Sequence, residues 1–249
     1  MSQEVILKIP KQLAFKNALE LVQSIDALPR EGSIVFDFDD MDFVGPFAFV
    51  LVSARVRALV RSMPSGSVTV KNHMKHSYHA HMGFFKAFGV DFGNPPGGAK
   101  GSGSYLPITI EQVIDIQRDA VQGGVPIGQI VEDKARRLAT VLASKGGREI
   151  VETFTYSLCE IIRNVAEHSE SKSLQYCAQY WPSQDRAEIA ILDNGIGICK
   201  TLHKNPLLKI ESDQHALDLS LLPGVSGKCK GNNHSPAGGW HNSGYGLYM

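Results

Sequence analysis

One stretch with helical spacing, Glu160-Ile-Ile-Arg-Asn164-Val-Ala-Glu-His168, is followed by an apolar run, Ala187 to Leu192, that ends in Asp193-Asn-Gly195-Ile-Gly197. No other feature narrows the choice of fold as far. Residues four apart are neighbours on a helix, so Glu160 and Asn164 project together. The apolar run reads as a strand that stops at a sharp turn. Asp193 then stands at a strand end, where a carboxylate can accept a hydrogen bond from an exocyclic amine. Gly195 and Gly197 let the backbone turn tightly beside a ligand. A third piece, Ser243-Gly244-Tyr245-Gly246, closes the chain. Glycine-rich segments ahead of a helix offer backbone N–H groups to phosphates. Lys228, in Gly224-Val-Ser-Gly-Lys228, is a further candidate for a phosphate, although a solvated lysine is the plainer reading. Each piece taken singly also has a plain reading: a solvated helix face, an Asn-Gly turn, a flexible loop.

The clearest break in the chain is Gly93-Asn-Pro-Pro-Gly-Gly-Ala-Lys-Gly-Ser-Gly-Ser104, which holds almost nothing that could build a core. It divides the 249 residues into a domain over 1–93, a linker over 94–104 and a second domain over 105–249. In the first, Val5 to Ile9, Ser33 to Phe38 and Ser67 to Lys71 read as strands. Gln12 to Leu28, Ala48 to Val60 and Ser77 to Phe88 read as helices. Strands that alternate with helices predict an α/β layer. In the second, Glu111 to Val121, Ile127 to Ala143 and Glu149 to Glu167 read as helices, and Leu174 to Tyr180 with Ala187 to Leu192 as paired strands.

The first half resembles the STAS family, small regulatory domains that bind partner proteins. The resemblance covers about residues 4–93 and rests on Ile34-Val-Phe-Asp-Phe-Asp-Asp-Met-Asp-Phe-Val followed by a helix. It implies a protein partner for this half. Phosphoregulated members carry a serine at the start of that helix; here the turn holds Gly45, Pro46 and Phe47, so that acceptor is missing.

The three pieces in the second half, in their order, resemble the N, G1 and G2 boxes of the GHKL superfamily, the ATPases of gyrase, Hsp90, histidine kinase and MutL type. The resemblance spans about residues 130–249 and implies an α/β sandwich of the Bergerat kind. It implies ATP and magnesium as cofactors, with Asn164 as the magnesium ligand and Asp193 holding the adenine amino group. It places Gly195 and Gly197 around the base, a mobile lid over about Leu202 to Trp240, and Ser243, Gly244 and Gly246 at the phosphates. Glu160 falls at the general-base position of hydrolytic members, and His168 where anti-sigma-factor kinases are most similar. Glu167 stands where many sensor kinases have a lysine. Family members continue past the G2 glycines with a helix and strands that complete the sheet. Because the chain stops at Met249, those C-terminal strands are expected to be missing and the chain to be truncated or shortened. Many relatives pair, so a homodimer is also an expectation.

The 25 basic residues balance the 25 acidic ones, which leaves no global field to recruit nucleic acid or an acidic membrane. No apolar run is long enough to span a bilayer, and the start lacks the pattern of a signal peptide. Cys159, Cys177, Cys199 and Cys229 are dispersed and read as reduced thiols of a cytoplasmic protein. His73, His76, His79 and His81 have the density of a zinc or nickel site, but no cysteine or well-placed acid accompanies them; they read as exposed histidines at a polar helix start. Together these expectations describe an ATP- and magnesium-binding regulatory protein whose lid state controls a protein partner, with slow hydrolysis through Glu160. The alternatives are a serine/threonine protein kinase of the anti-sigma-factor type and a scaffold without catalysis.

Overall fold

The structure, a computed structural model, describes residues 4–64, 66–143 and 146–227, and of Glu167 and His168 the backbone alone. It is a mixed α/β protein. In chain order its elements begin with β1 (Glu4–Lys8), β2 (Gln12–Leu13), α1 (Phe15–Asp26), β3 (Ser33–Asp37), β4 (Phe43–Val44), α2 (Pro46–Ser62), β5 (Val68–Lys71) and α3 (Ser77–His81). A 3-10 turn at Phe85–Phe88 follows, then β6 (Tyr105–Gln112), α4 (Val113–Gly123), α5 (Ile127–Leu142) and α6 (Arg148–His168). The last described elements are β7 (Ser173–Trp181), β8 (Arg186–Asp193), α7 (Gly197–Leu202) and α8 (Asp213–Ser220). Among the described residues no helix is long and apolar enough to cross a membrane.

The chain divides into two compact units, Met1–Ile110 with Gln175–Leu192, and Glu111–Leu174 with Asp193–Met249. The glycine- and proline-rich segment at 94–104 belongs to the first. There Asn94 N donates to Ala80 O at 3.0 Å and Gly97 N to Ile108 O at 2.7 Å. Gly93 is what permits the approach: a Cβ on it would lie 2.2 Å from Ala80 O, and its φ is +83°. The glycines that read as slack in the sequence allow backbone to dock on backbone.

In the first unit β1, β3 and β5 form a parallel sheet in the order β1-β3-β5, with Val5 opposite Ile34 and Ile34 opposite Val68. Parallel neighbours require crossover helices, and α1 and α2 supply them. Pro46 sits in the first turn of α2, where its missing N–H costs nothing and its φ is already helical. The helix expected over 77–88 is two pieces. Gly83, at φ +89°, breaks it, and the chain then turns Phe84, Phe85 and Phe88 into the core. Phe38 meets Phe85 edge-on at 5.0 Å, and Phe84 meets Phe88 at 5.2 Å. Each fully buried phenylalanine contributes about 2 kcal/mol.

The same core includes Ile108, Cys177 and Ala190, from β6, β7 and β8, which form a second three-stranded sheet in that order. Pro107 and a polar C-terminal half obscure the alternation of β6, so its residues alone do not announce a strand. Four residues join β7 to β8, too few for a crossover, so this pair is antiparallel. Two polar contacts tie the sheet to α2. Arg57 Nη2 donates to Gln175 Oε1, and the backbone N–H of Phe47 donates to Glu188 Oε1 at 3.1 Å.

The four histidines are not the exposed row that their spacing predicts. His76 and His79 are buried, and His76 Nε2 bonds Phe38 O at 2.8 Å. The His79 ring lies 5.9 Å from Phe49, and that of His73 lies 5.6 Å from Phe85. The break at Gly83 is the cause, because it folds the histidine-bearing turn onto the phenylalanines.

Candidate functional site

The second unit is built around α5 and α6. Thr155, Leu158, Ile162 and Val165 recur every three or four residues along α6 and are buried, while Val131, Ala135 and Leu138 do the same on α5. This apolar seam fixes the rotation of α6 and thereby the direction of its other side chains. Glu160, at 6% exposure, is almost as buried as the seam itself. Its Oε2 accepts a hydrogen bond from Arg163 Nη2 at 2.7 Å, one helical turn away. Burial of a carboxylate is tolerable only with such a partner. The neighbouring Cys159 thiol is pushed up to about 11, by burial first and by the charges of Glu132 and Glu160 after it.

Asn164 lies one turn beyond Glu160 and is half-buried. Its carbonyl accepts from Ser169 N at 3.1 Å and so closes the helix. The hydroxyl of Ser169 donates back to Val165 O at 2.7 Å. Glu170 follows with φ +56°, the left-handed turn that ends many helices.

The end of α6 receives the turn that follows β8. Ile196 N donates to Ser169 O at 2.7 Å, and Asn194 N donates to Ser171 Oγ at 3.1 Å. Gly195 lies between these two bonds, where a Cβ would stand 2.0 Å from Ser169 O. Only glycine fits there. Asp193 folds its own carboxylate over this turn, with Oδ1 accepting from Gly195 N at 2.7 Å. That Asx arrangement leaves Asp193 Oδ2 without a partner among the described residues. Gly197 begins α7 at φ +81°, with open space where a side chain would be.

The structure thus brings the turn Asp193–Gly197 onto the end of the helix that carries Glu160 and Asn164. Of the other predicted positions, the side chain of His168 and all of Lys228, Ser243, Gly244 and Gly246 lie outside the described residues. The sequence reading overlooked Ser169, Ser171 and Arg163. The alternation Ser169, Ser171, Ser173 directly after a helix was the available signal, since short hydroxyl side chains there bond the backbone of turns.

The arrangement has definite chemical capacities. An exposed strand-end carboxylate oxygen can accept from an amine. A half-buried carboxamide can give one oxygen to a hard cation that takes its remaining ligands from water and phosphate. Of the Glu160 carboxylate, Oε2 is taken up by the hydrogen bond from Arg163. Among the described residues no group of three or more His, Cys, Asp or Glu side chains could hold a metal unaided. No family model matches the chain, and no curated protein or solved structure matches it either.

Proposed function

We propose that the second unit binds ATP with magnesium in the manner of the GHKL proteins it resembles, and that nucleotide controls a protein partner held through the STAS-like half. The observation that supports this most is the docking of the Asp193 turn, through Gly195, on Ser169 at the end of the Glu160–Asn164 helix. The sequence pieces alone required only their order; the contact adds that two of them are neighbours in space. In this reading Asp193 Oδ2 receives the adenine amino group and Asn164 gives its amide oxygen to magnesium. The phosphates and their waters complete the shell of the ion. Bound nucleotide supplies the charge and hydrogen bonds that favour one lid state over another, which is the one way a ligand shifts such an equilibrium.

The ion pair between Glu160 and Arg163 favours a binding role over turnover. The hydrogen bond from Arg163 Nη2 occupies Glu160 Oε2, an oxygen that would have to face an attacking water, so any hydrolysis would be slow. Titration of the chain with ATP and magnesium in a thermal-shift assay tests the reading. At ligand a hundredfold above its dissociation constant, stabilisation of about 2.7 kcal/mol is expected. Asp193→Ala should abolish the shift, and Asn164→Ala should remove its dependence on magnesium. A folded chain that shows no shift at millimolar ATP refutes the proposal.

A further inference from the structure

We infer that Ser171 is a positioning residue that sets the base specificity of this site; the inference rests on the nucleotide reading above. Ser171 is 7% exposed, and its N–H donates to Ser169 Oγ at 3.0 Å. Its hydroxyl donates to Ser173 O at 2.8 Å, which commits the only proton it has. The lone pairs of Oγ are therefore directed to N–H donors, and one of these is Asn194 N at 3.1 Å. The peptide plane that Asn194 N belongs to also carries the carbonyl of Asp193. Holding that plane holds the backbone from which the Asp193 side chain springs.

Asp193 is then fixed at both ends: its peptide by Ser171 and its Oδ1 by Gly195 N. The remaining oxygen, Oδ2, is an acceptor in a set position. Such an acceptor tells a base edge that offers an N–H from one that offers a carbonyl oxygen. If the carboxylate can drift, water fills the gap and the two edges become alike. Asn194 is itself exposed, so water can replace the lost bond when Ser171 is removed. Loss of the hydroxyl therefore affects selectivity more than folding.

The test compares ATP with inosine triphosphate, each with magnesium, on the full chain. Inosine triphosphate has a carbonyl oxygen where ATP has the amino group. The wild type should prefer ATP by about tenfold, the worth of one charge-assisted hydrogen bond. Ser171→Ala should cut that preference to about threefold or less, through weaker ATP binding at unchanged affinity for inosine triphosphate. Ser171→Thr, which keeps the hydroxyl, should restore it. Equal weakening of both nucleotides in Ser171→Ala, with the ratio kept, makes Ser171 merely structural and overturns the inference. Wild-type binding of both nucleotides without preference also overturns it, while leaving nucleotide binding intact. Binding of neither refutes the nucleotide reading and the inference with it. Should Ser171→Ala fail to fold, hydrogen exchange of the wild type decides: protection of the Asn194 amide supports the clamp, and exchange at the unprotected rate overturns it.

Discussion

The carbonyl oxygen of Ser169 and the α-carbon of Gly195 are so close that a single methyl group cannot fit between them. A Cβ on Gly195 would lie 2.0 Å from that oxygen, 2.6 Å from Ser169 Cβ and 2.7 Å from Asp193 Oδ1. The close approach is what lets Ile196 N reach Ser169 O and Asn194 N reach Ser171 Oγ. Gly195→Ala must push the turn off the helix end or break these bonds. The expected cost is about 2 kcal/mol in stability, as for overpacking elsewhere. If the site binds nucleotide as proposed, ATP affinity should fall at least about tenfold, since the Asp193 carboxylate moves with the turn. Calorimetric titration, with amide exchange at Ile196, checks both.

Arg163 and Glu160 form a nearly buried pair, with side-chain exposures of 13% and 8%. Arg163→Ala would strand a carboxylate away from water. Removal of one partner from such a pair typically costs about 3 kcal/mol or more. Urea denaturation should show a lower midpoint for Arg163→Ala. Glu160→Gln, which removes the stranded charge, should recover part of the loss in the double variant. Unchanged stability in Arg163→Ala would mean that the pair does not hold α6 in place.

The buried histidines make the first unit sensitive to acid. Burial among aromatic rings pushes His79 down to about 4, His76 adds to this, and Asp42 opposes it. His73 is lowered as well, again chiefly by burial. In both rings Nδ1 is buried with no hydrogen-bond partner, so a proton there would find no acceptor. The unfolded chain takes up that proton near pH 6.5, the folded chain not until about pH 4. Between these values the unfolded state binds more protons, so stability is fully present above pH 6.5 and is lost as pH falls towards 4. His79 alone accounts for about 3 kcal/mol of that loss. Denaturation followed by Trp181 fluorescence in a Trp240→Phe background should show the decline, and His79→Phe should flatten it.

Glu188 caps the first turn of α2 from a strand. Its Oε1 accepts from Phe47 N at 3.1 Å, while Oε2 accepts from Arg186 Nη2 at 2.8 Å. The residue before the helix, Gly45, has no side chain with which to cap it, so the distant carboxylate takes that task. Glu188→Ala should destabilise the first unit by about 1 kcal/mol, the usual worth of a helix cap. Glu188→Gln, which keeps an acceptor without the charge, should lose less. Chemical denaturation of the three proteins separates the hydrogen bond from the charge.

The elements with strong periodicity were legible in the chain alone. The strands at 33–37, 68–71 and 186–193 and the helices at 127–142 and 148–168 follow the apolar spacing closely. That spacing is a local property, written within one element, and burial of the apolar face suffices to realise it. The candidate positions Glu160, Asn164 and Asp193 were legible in the same way, as residue types on a helix face and at a strand end. Three features were not. The strand at 105–112 alternates only through Leu106, Ile108 and Ile110, with Pro107 set among them, and its pairing with β7 is not written in its own residues. His76 and His79 are buried because Gly83 redirects the chain, and no spacing among histidines encodes that. The neighbourhood of Asp193 and the end of α6 depends on a single glycine fitting against a serine 26 residues earlier. Spacing along the chain specifies which residues share a face, whereas contact between distant segments depends on steric room and backbone hydrogen bonds that exist only once both are folded.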